Sequence, residues 1–536
     1  MRPELNLKIN PMKRIKYILV ILLATTLNSC HDLELDISTQ LTEDNFPTRE
    51  EHFVAAAAAA YSAFRFDYAV KYWFLQTLST DESIMPARGG NWYDQGRYEQ
   101  LHKHTWTADH GFVLDAWNYL SNVIANTNKV LELIGEGDDA DRLKAIAELR
   151  VLRALTYYMM MDLWGNIPVV TKFGDVTPPG TTPREEVFTF IENEIQESLP
   201  YLSRETGLPT YGRPNKYTAY ALLAKMYLNA TVYNGTNRLN DAIIACDSVI
   251  NAGDYLVESD YKKMFFFNNG PSIKEFIFAV PFNPTTPNGY MLYNRYWLPR
   301  SLRKKYSLNY DPSAPMSTIP SFYAYFDDPD DIRTQLWLTG KQYFFNGTPI
   351  TVNTTKIGFD ETYTGSDAKD PIVYHVELTP DIELRGSRPF DTGNDEKSWN
   401  MGYRSIKYYP DSTSSNRNQN TDLPVFRYSD ILLMKAEAIL RGGTATQGHT
   451  PVSLVNEVRS KRTTADALAD VDLEFIYEER TREFVGENWH RNDMIRFGKF
   501  ENSWGFKTDT DVRKRLYPIP TNARQLNPLL EQNDGY

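Results

Sequence analysis

The chain has 536 residues, of which 42% are hydrophobic and 13% aromatic, and a formal charge of −12. That length is ample for a large core, and the acidic surface repels phosphate backbones, which argues against a nucleic-acid partner. With only two cysteines, Cys30 and Cys246, the fold cannot rest on a disulfide framework.

The first 30 residues read as an export signal. Met12 to Lys16 is a basic start, Tyr17 to Ala24 is an apolar run, and Leu27-Asn28-Ser29-Cys30 closes it with a small residue before a thiol. The apolar run is far shorter than the ~20 residues a spanning helix needs. This is the pattern of a bacterial lipoprotein: residues 1–29 form the signal peptide, Cys30 is the lipidation site, and residues 30–40 form a polar tether. Cys246 lies in a helical pattern and reads as a small buried hydrophobe.

Helical patterns follow in order. Glu50 to Phe64 contains the run Ala55 to Ala60. Val113 to Ile134 repeats apolar residues at helical spacing, and Asp141 to Trp164 places Ile146, Leu149, Leu152 and Leu155 near one stripe before Gly165-Asn166-Ile167-Pro168 stops it. Thr182 is the expected N-cap of the next helix, with Pro183 in its first turn. Tyr217 to Tyr233 carries an i, i+3, i+4, i+7 stripe, and Leu239 to Asn251 is its expected hairpin partner. Residues 254–422 are rich in Asn, Pro, Gly and aromatics, with strands expected only at Ile273 to Val280 and Ile372 to Leu378. Helices return at Ser429 to Arg441, Val452 to Arg462 and Asp472 to Gly486. The expected fold is mostly α: a tetratricopeptide-like stack of helical hairpins with a large irregular region carrying short strands. The expected division is a helical region at 41–253, then 254–536 with a loop-rich insertion at 254–422 and closing helices.

Three stretches carry a resemblance. They are Leu149 to Tyr158 running into Trp164-Gly165-Asn166-Ile167-Pro168, then Glu478-Glu479-Arg480-Thr481-Arg482-Glu483-Phe484 continuing to Arg491-Asn492-Asp493-Met494-Ile495-Arg496-Phe497-Gly498, and finally Tyr517-Pro518-Ile519-Pro520 with the terminus Gln532 to Tyr536. In this order, behind a lipoprotein cysteine, they resemble the SusD/RagB family of nutrient-binding outer-membrane lipoproteins of Bacteroidetes. Asn488 and His490 depart from the residues common there. The resemblance implies a SusD-like fold and a cell-surface protein that binds glycan, without catalysis, as a lid on a SusC-like TonB-dependent transporter. Asp32, Glu34 and Asp36 resemble the family's surface-export signal.

Within the sequence the strongest recognition candidate is the glycine-flanked loop 81–98, with Asp81, Arg88, Asn91, Trp92, Tyr93, Asp94 and Tyr98. Its aromatic faces suit sugar C–H surfaces and its polar tips suit hydroxyls. In the family, the starch binder's ligand loop falls at this point of the chain. Packing of Trp92 into the core is the equal alternative. A second candidate is Asn288 to Trp297, with Tyr290, Tyr293, Tyr296 and Trp297. Glu479, Arg480, Arg482 and Glu483, at i, i+3 and i+4 spacing, are expected to form a structural ion-pair network with Asp493 and Arg496, tying the last helix to the terminal segment. Arg150 and Arg153 are expected to pair in the same manner. No cofactor or metal is expected: His102, His104 and His110 lack a metal-site pattern, and Asp327 to Asp331 reads as a solvated helix-starting turn rather than a calcium loop. The competing functions are a peptide-binding member of the same family, a helical adaptor, and a glycoside hydrolase, which needs a carboxylate pair that does not stand out.

Overall fold

The computed structural model describes residues 46–283, 289–357, 370–386 and 388–536; the signal peptide, Cys30 and most of the N-terminal segment lie outside the described residues. The principal helices are α1 (Glu50–Asp67), α2 (Gly111–Ile134), α3 (Ala140–Trp164), α4 (Arg184–Ser198), α5 (Lys216–Leu228), α6 (Leu239–Ile250), α7 (Tyr428–Leu440), α8 (Pro451–Arg459), α9 (Leu473–Phe484) and α10 (His490–Arg496). Neighbours in the chain pack side by side: α1 on α2, α2 on α3, α3 on α4, α5 on α6, and α7 on both α6 and α8. The fold is mostly α, a stack of helical hairpins. From Ala147 onward almost every side chain of α3 is buried, which makes it the central helix of the stack. Asp139 caps its start by accepting from Arg142 N, and Gly165, at φ +73°, ends it.

Three local expectations are corrected. Thr182 does not cap α4; its backbone is paired with Ile167, which holds it extended, and Asn166 Oδ1 instead accepts from Arg184 N at 2.9 Å. The helix expected across Tyr217 to Tyr233 stops at Leu228, because Asn229 turns its amide back onto Lys225 O at 2.8 Å; it restarts as the short helix Ala230–Asn234. The strand expected at Ile372 to Leu378 is split at Val376, which hydrogen-bonds to Gln342 and Ile350 rather than to the partner of its neighbours.

The irregular region is closed at its base. β1 (Phe276–Val280) pairs antiparallel with the later strand Leu423–Arg427, so the two ends of the insertion meet. A two-stranded ribbon of Thr351–Thr354 and Ile372–His375 projects from it. One large hydrophobic core runs through the helices, and a smaller one, around Leu298, Leu302, Tyr306, Ile350 and Val376, lies within the insertion.

Charge pairs, most of them buried, join these parts. Arg150 pairs with Glu194 at 2.7 Å and Glu197 at 2.6 Å, and Arg153 pairs with Glu194 at 2.6 Å, linking α3 to α4. Arg480 reaches Asp430 at 2.8 Å and Asp493 at 2.9 Å, and Arg496 reaches Asp493 at 2.6 Å and Glu437 at 2.7 Å. Glu479 receives Arg333 at 2.9 Å, and Glu483 receives Arg333 and Arg462 at 3.0 Å and Arg427 at 2.7 Å. The cluster thus ties α9 to α7, α10 and the insertion, not to the C-terminal segment. Asp331 is buried rather than solvated, paired with Arg333 at 2.6 Å.

Candidate ligand-binding face

The two aromatic stretches singled out in the sequence converge. The Trp92 ring lies 5.8 Å from Tyr296 and 6.5 Å from Tyr98, and the Arg295 guanidinium stands 5.9 Å from it. Tyr296 also meets Trp73 and Phe74, and Tyr98 meets Phe74 and Phe112. These rings form a floor under the loop.

Burial divides the candidates. Asp81, Arg88, Tyr98, Tyr293, Tyr296 and Trp297 are buried, so their side chains do not face a ligand in this structure. Three of them have hydrogen-bond partners in the interior. Asp81 Oδ1 bonds His490 Nε2 at 2.6 Å, and Tyr293 donates to Ser405 Oγ at 2.8 Å. The Arg88 guanidinium donates to the carbonyls of Pro315, Ser398 and Met401, and burial pushes its pKa down to about 9. Tyr290 is 37% exposed but stands against Phe66, on α1. The side chains left at the surface are Asn91, Trp92, Tyr93 and Asp94, together with Gln95 and Arg295. Trp92 and Tyr93 are half-buried, and Arg388 stands 5.0 Å over the Tyr93 ring.

The backbone here is unusual. Trp92 (φ +65°), Asp94 (φ +41°) and Gln95 (φ +60°) are all left-handed, among Gly89, Gly90 and Gly96. For a residue other than glycine this costs on the order of 1–3 kcal/mol and persists only where surroundings impose it; such residues cluster at active sites, ligand clamps and switch regions. The surroundings do impose it. The Asp391 carboxylate accepts from Gly89 N at 2.9 Å, Gly90 N at 2.8 Å and Gly393 N at 2.7 Å. Ala87 N donates to Phe390 O at 2.9 Å, and Thr392 N donates to Ala87 O at 3.0 Å. Gly89 has no room for a side chain, since a Cβ there would lie 2.2 Å from Asn394 Cβ. Asp391 is the positioning residue that sequence reading missed. Nothing local marks it, because its partners in the loop, Gly89 and Gly90, lie 302 and 301 positions away.

The three histidines near the loop are buried separately. His104 Nε2 donates to Ser79 O at 2.9 Å, His110 Nε2 donates to Arg97 O at 3.0 Å, and His102 Nε2 accepts from Phe506 N at 3.2 Å. Burial lowers all three pKa values, to about 3 for His102 and about 4 for His110. Among the described residues no group of three His, Cys, Asp or Glu side chains is arranged to hold a metal.

Comparison with known proteins agrees with this architecture. A model of the SusD family matches residues 268–536, and one described as starch-binding associating with outer membrane matches residues 49–228. The starch-binding protein SusD of Bacteroides thetaiotaomicron is 24% identical over 497 residues, covering 86% of this chain and 84% of that protein. Surface glycan-binding protein A from Bacteroides thetaiotaomicron, solved in complex with laminarihexaose, superposes with a TM-score of 0.68 at 19% identity, covering 91% of this chain and 100% of that one. A laminarin binding SusD-like protein superposes with a TM-score of 0.69 at 18% identity, with the same coverage. The first family model spans half of the sequence, and the hairpin stack is shared with these structures: the chain belongs to the SusD family.

Proposed function

We propose that this protein captures glycan at the bacterial outer surface and hands it on without cleaving it. The observation that carries this reading is the loop at residues 88–96: its glycine start is held by Asp391, three non-glycine residues follow in the left-handed region, and Trp92 and Tyr93 stay at the surface with Asn91, Asp94 and Arg295 around them. Aromatic faces with amide, carboxylate and guanidinium groups at their rim match a sugar's C–H face and its hydroxyls. The starch and laminarihexaose named for its relatives support the same ligand class. Lipid on Cys30 would tether the protein to the outer membrane, and a SusC-like TonB-dependent transporter would receive the glycan.

The test is affinity electrophoresis and calorimetry against starch, laminarin and a wider polysaccharide panel. Trp92→Ala and Tyr93→Ala should each weaken binding of the recognised glycan by about tenfold or more, the effect of removing a contact worth over 1 kcal/mol. Binding untouched by both substitutions would place the site elsewhere, and reducing-sugar release would make the protein a hydrolase.

A further inference from the structure

A second surface carries its own chemistry. In a chain with a formal charge of −12, Arg300, Arg303, Lys304 and Lys305 crowd into one short turn. Arg303 is paired with Asp311 at 3.0 Å. Among the described residues no carboxylate lies within ion-pair distance of Arg300, Lys304 or Lys305. Lys305 is half-buried, with no hydrogen-bond acceptor among the described residues. Its ammonium stands 5.3 Å from the Phe345 ring centre and 5.6 Å from that of Tyr306, and burial lowers its pKa.

Phe345 is 72% exposed. It is not a stray side chain on a loose loop. Phe344 N donates to Thr348 O at 2.8 Å and Gly347 N donates to Phe344 O at 2.9 Å, closing a tight Asn346-Gly347 turn. Phe344 packs on the smaller core while Phe345 is held out, its ring meeting Tyr306 at 5.8 Å and 82°. Leaving a phenyl face in water forgoes the free energy of burying it. An unpaired, partly desolvated ammonium beside an open aromatic face is complementary to one kind of ligand: a ring with an apolar C–H side and an anionic substituent.

We infer that Lys305 and Phe345, backed by the buried Tyr306 ring, form a second ligand site, for a glycan unit bearing a carboxylate or sulfate group. This rests on the glycan-capture reading and adds to it a separate location and a charge preference. Tyr306 belongs to the smaller core, whereas Trp92 packs on the larger one. An anionic membrane would engage the basic turn, but a single ring with an ammonium 5.3 Å from its centre offers little apolar surface for insertion, so the observations favour the sugar.

Calorimetry with the purified full-length protein would use polygalacturonate as the carboxylate probe, dextran sulfate as the sulfate probe and laminarin as a neutral control. At least one charged polymer should bind, about fivefold or more weakly in Lys305→Gln and in Phe345→Ala, and more weakly as salt rises. The polymer that responds identifies the anion. Binding of whichever neutral glycan the panel identifies should be unchanged in both variants and weakened about tenfold or more in Trp92→Ala, which tests the main site separately. Thermal melting of the variants should match the wild type, both side chains being at the surface. The inference is overturned if neither charged polymer binds, if both variants bind them as well as wild type, or if Lys305 matters only for phosphatidylglycerol vesicles.

Discussion

His102 shows how one side chain sets a pH response. Its ring is buried, accepts from Phe506 N, and has its pKa lowered to about 3, first by burial and then by Lys103 and Lys507. Below pH 6.5 the unfolded chain takes up a proton that the folded chain refuses. The contribution is therefore complete above pH 6.5 and is lost as pH falls from 6.5 towards 3, at about 1.4 kcal/mol per pH unit. His102→Asn keeps an acceptor for Phe506 N and removes the titration. Urea unfolding between pH 6.5 and 4 should show a shallower decline for the variant by about that slope; parallel declines would assign the neutral ring no such role. Cys246 is the simple case at this scale. Its helical pattern predicts a buried hydrophobe, and it is buried, with its thiol pKa raised by burial.

At the scale of elements, the loop at 88–96 depends on a carboxylate far away in the chain. Asp391→Ala would orphan the amides of Gly89, Gly90 and Gly393, at about 1–3 kcal/mol for each buried N–H. The left-handed residues would then relax. Hydrogen exchange should accelerate in residues 88–96 while α3 stays protected, and glycan affinity should fall about as far as in Trp92→Ala. Unchanged exchange in the loop would mean that Arg88 and its carbonyl partners hold it alone. The principal helices were legible because their signal is local: apolar residues recur at helical spacing over α2, α3, α5 and α6. Their ends were less so. Thr182 is held by Ile167, outside its own helix, and Asn229, whose amide turns back to Lys225, has its Oδ1 fixed by the distant Arg496.

For the whole molecule, Glu483 is the junction between the helical stack and the insertion. It receives Arg333, Arg427 and Arg462 from three separate segments, and Arg427 and Arg462 also reach Glu275. All five side chains are fully buried. Such a cluster is poor evidence of net stabilisation, but breaking it leaves buried charge uncompensated. Glu483→Gln should cost about 3–5 kcal/mol in chemical unfolding. A loss below 1 kcal/mol would show that the arginines find other partners.

The helical class, the order of the hairpins and the lipoprotein signal pattern could be read from residue types and their spacing, because each depends on neighbours a few positions apart; the charged cluster was legible only in part, since Glu483 meets Arg333 and Arg427 from 150 and 56 positions away. The fate of the aromatic rings could not. Tyrosine and tryptophan have an apolar body and a polar tip, so the same residue serves equally as a core filler bonded to a carbonyl or as a surface platform. Contacts between Trp92 and Tyr296, and between Gly89 and Asp391, join segments hundreds of residues apart. Folding of the chain onto itself buried Tyr98, Tyr293, Tyr296 and Trp297, left Trp92, Tyr93 and Phe345 in contact with water, and so chose which rings can meet a sugar.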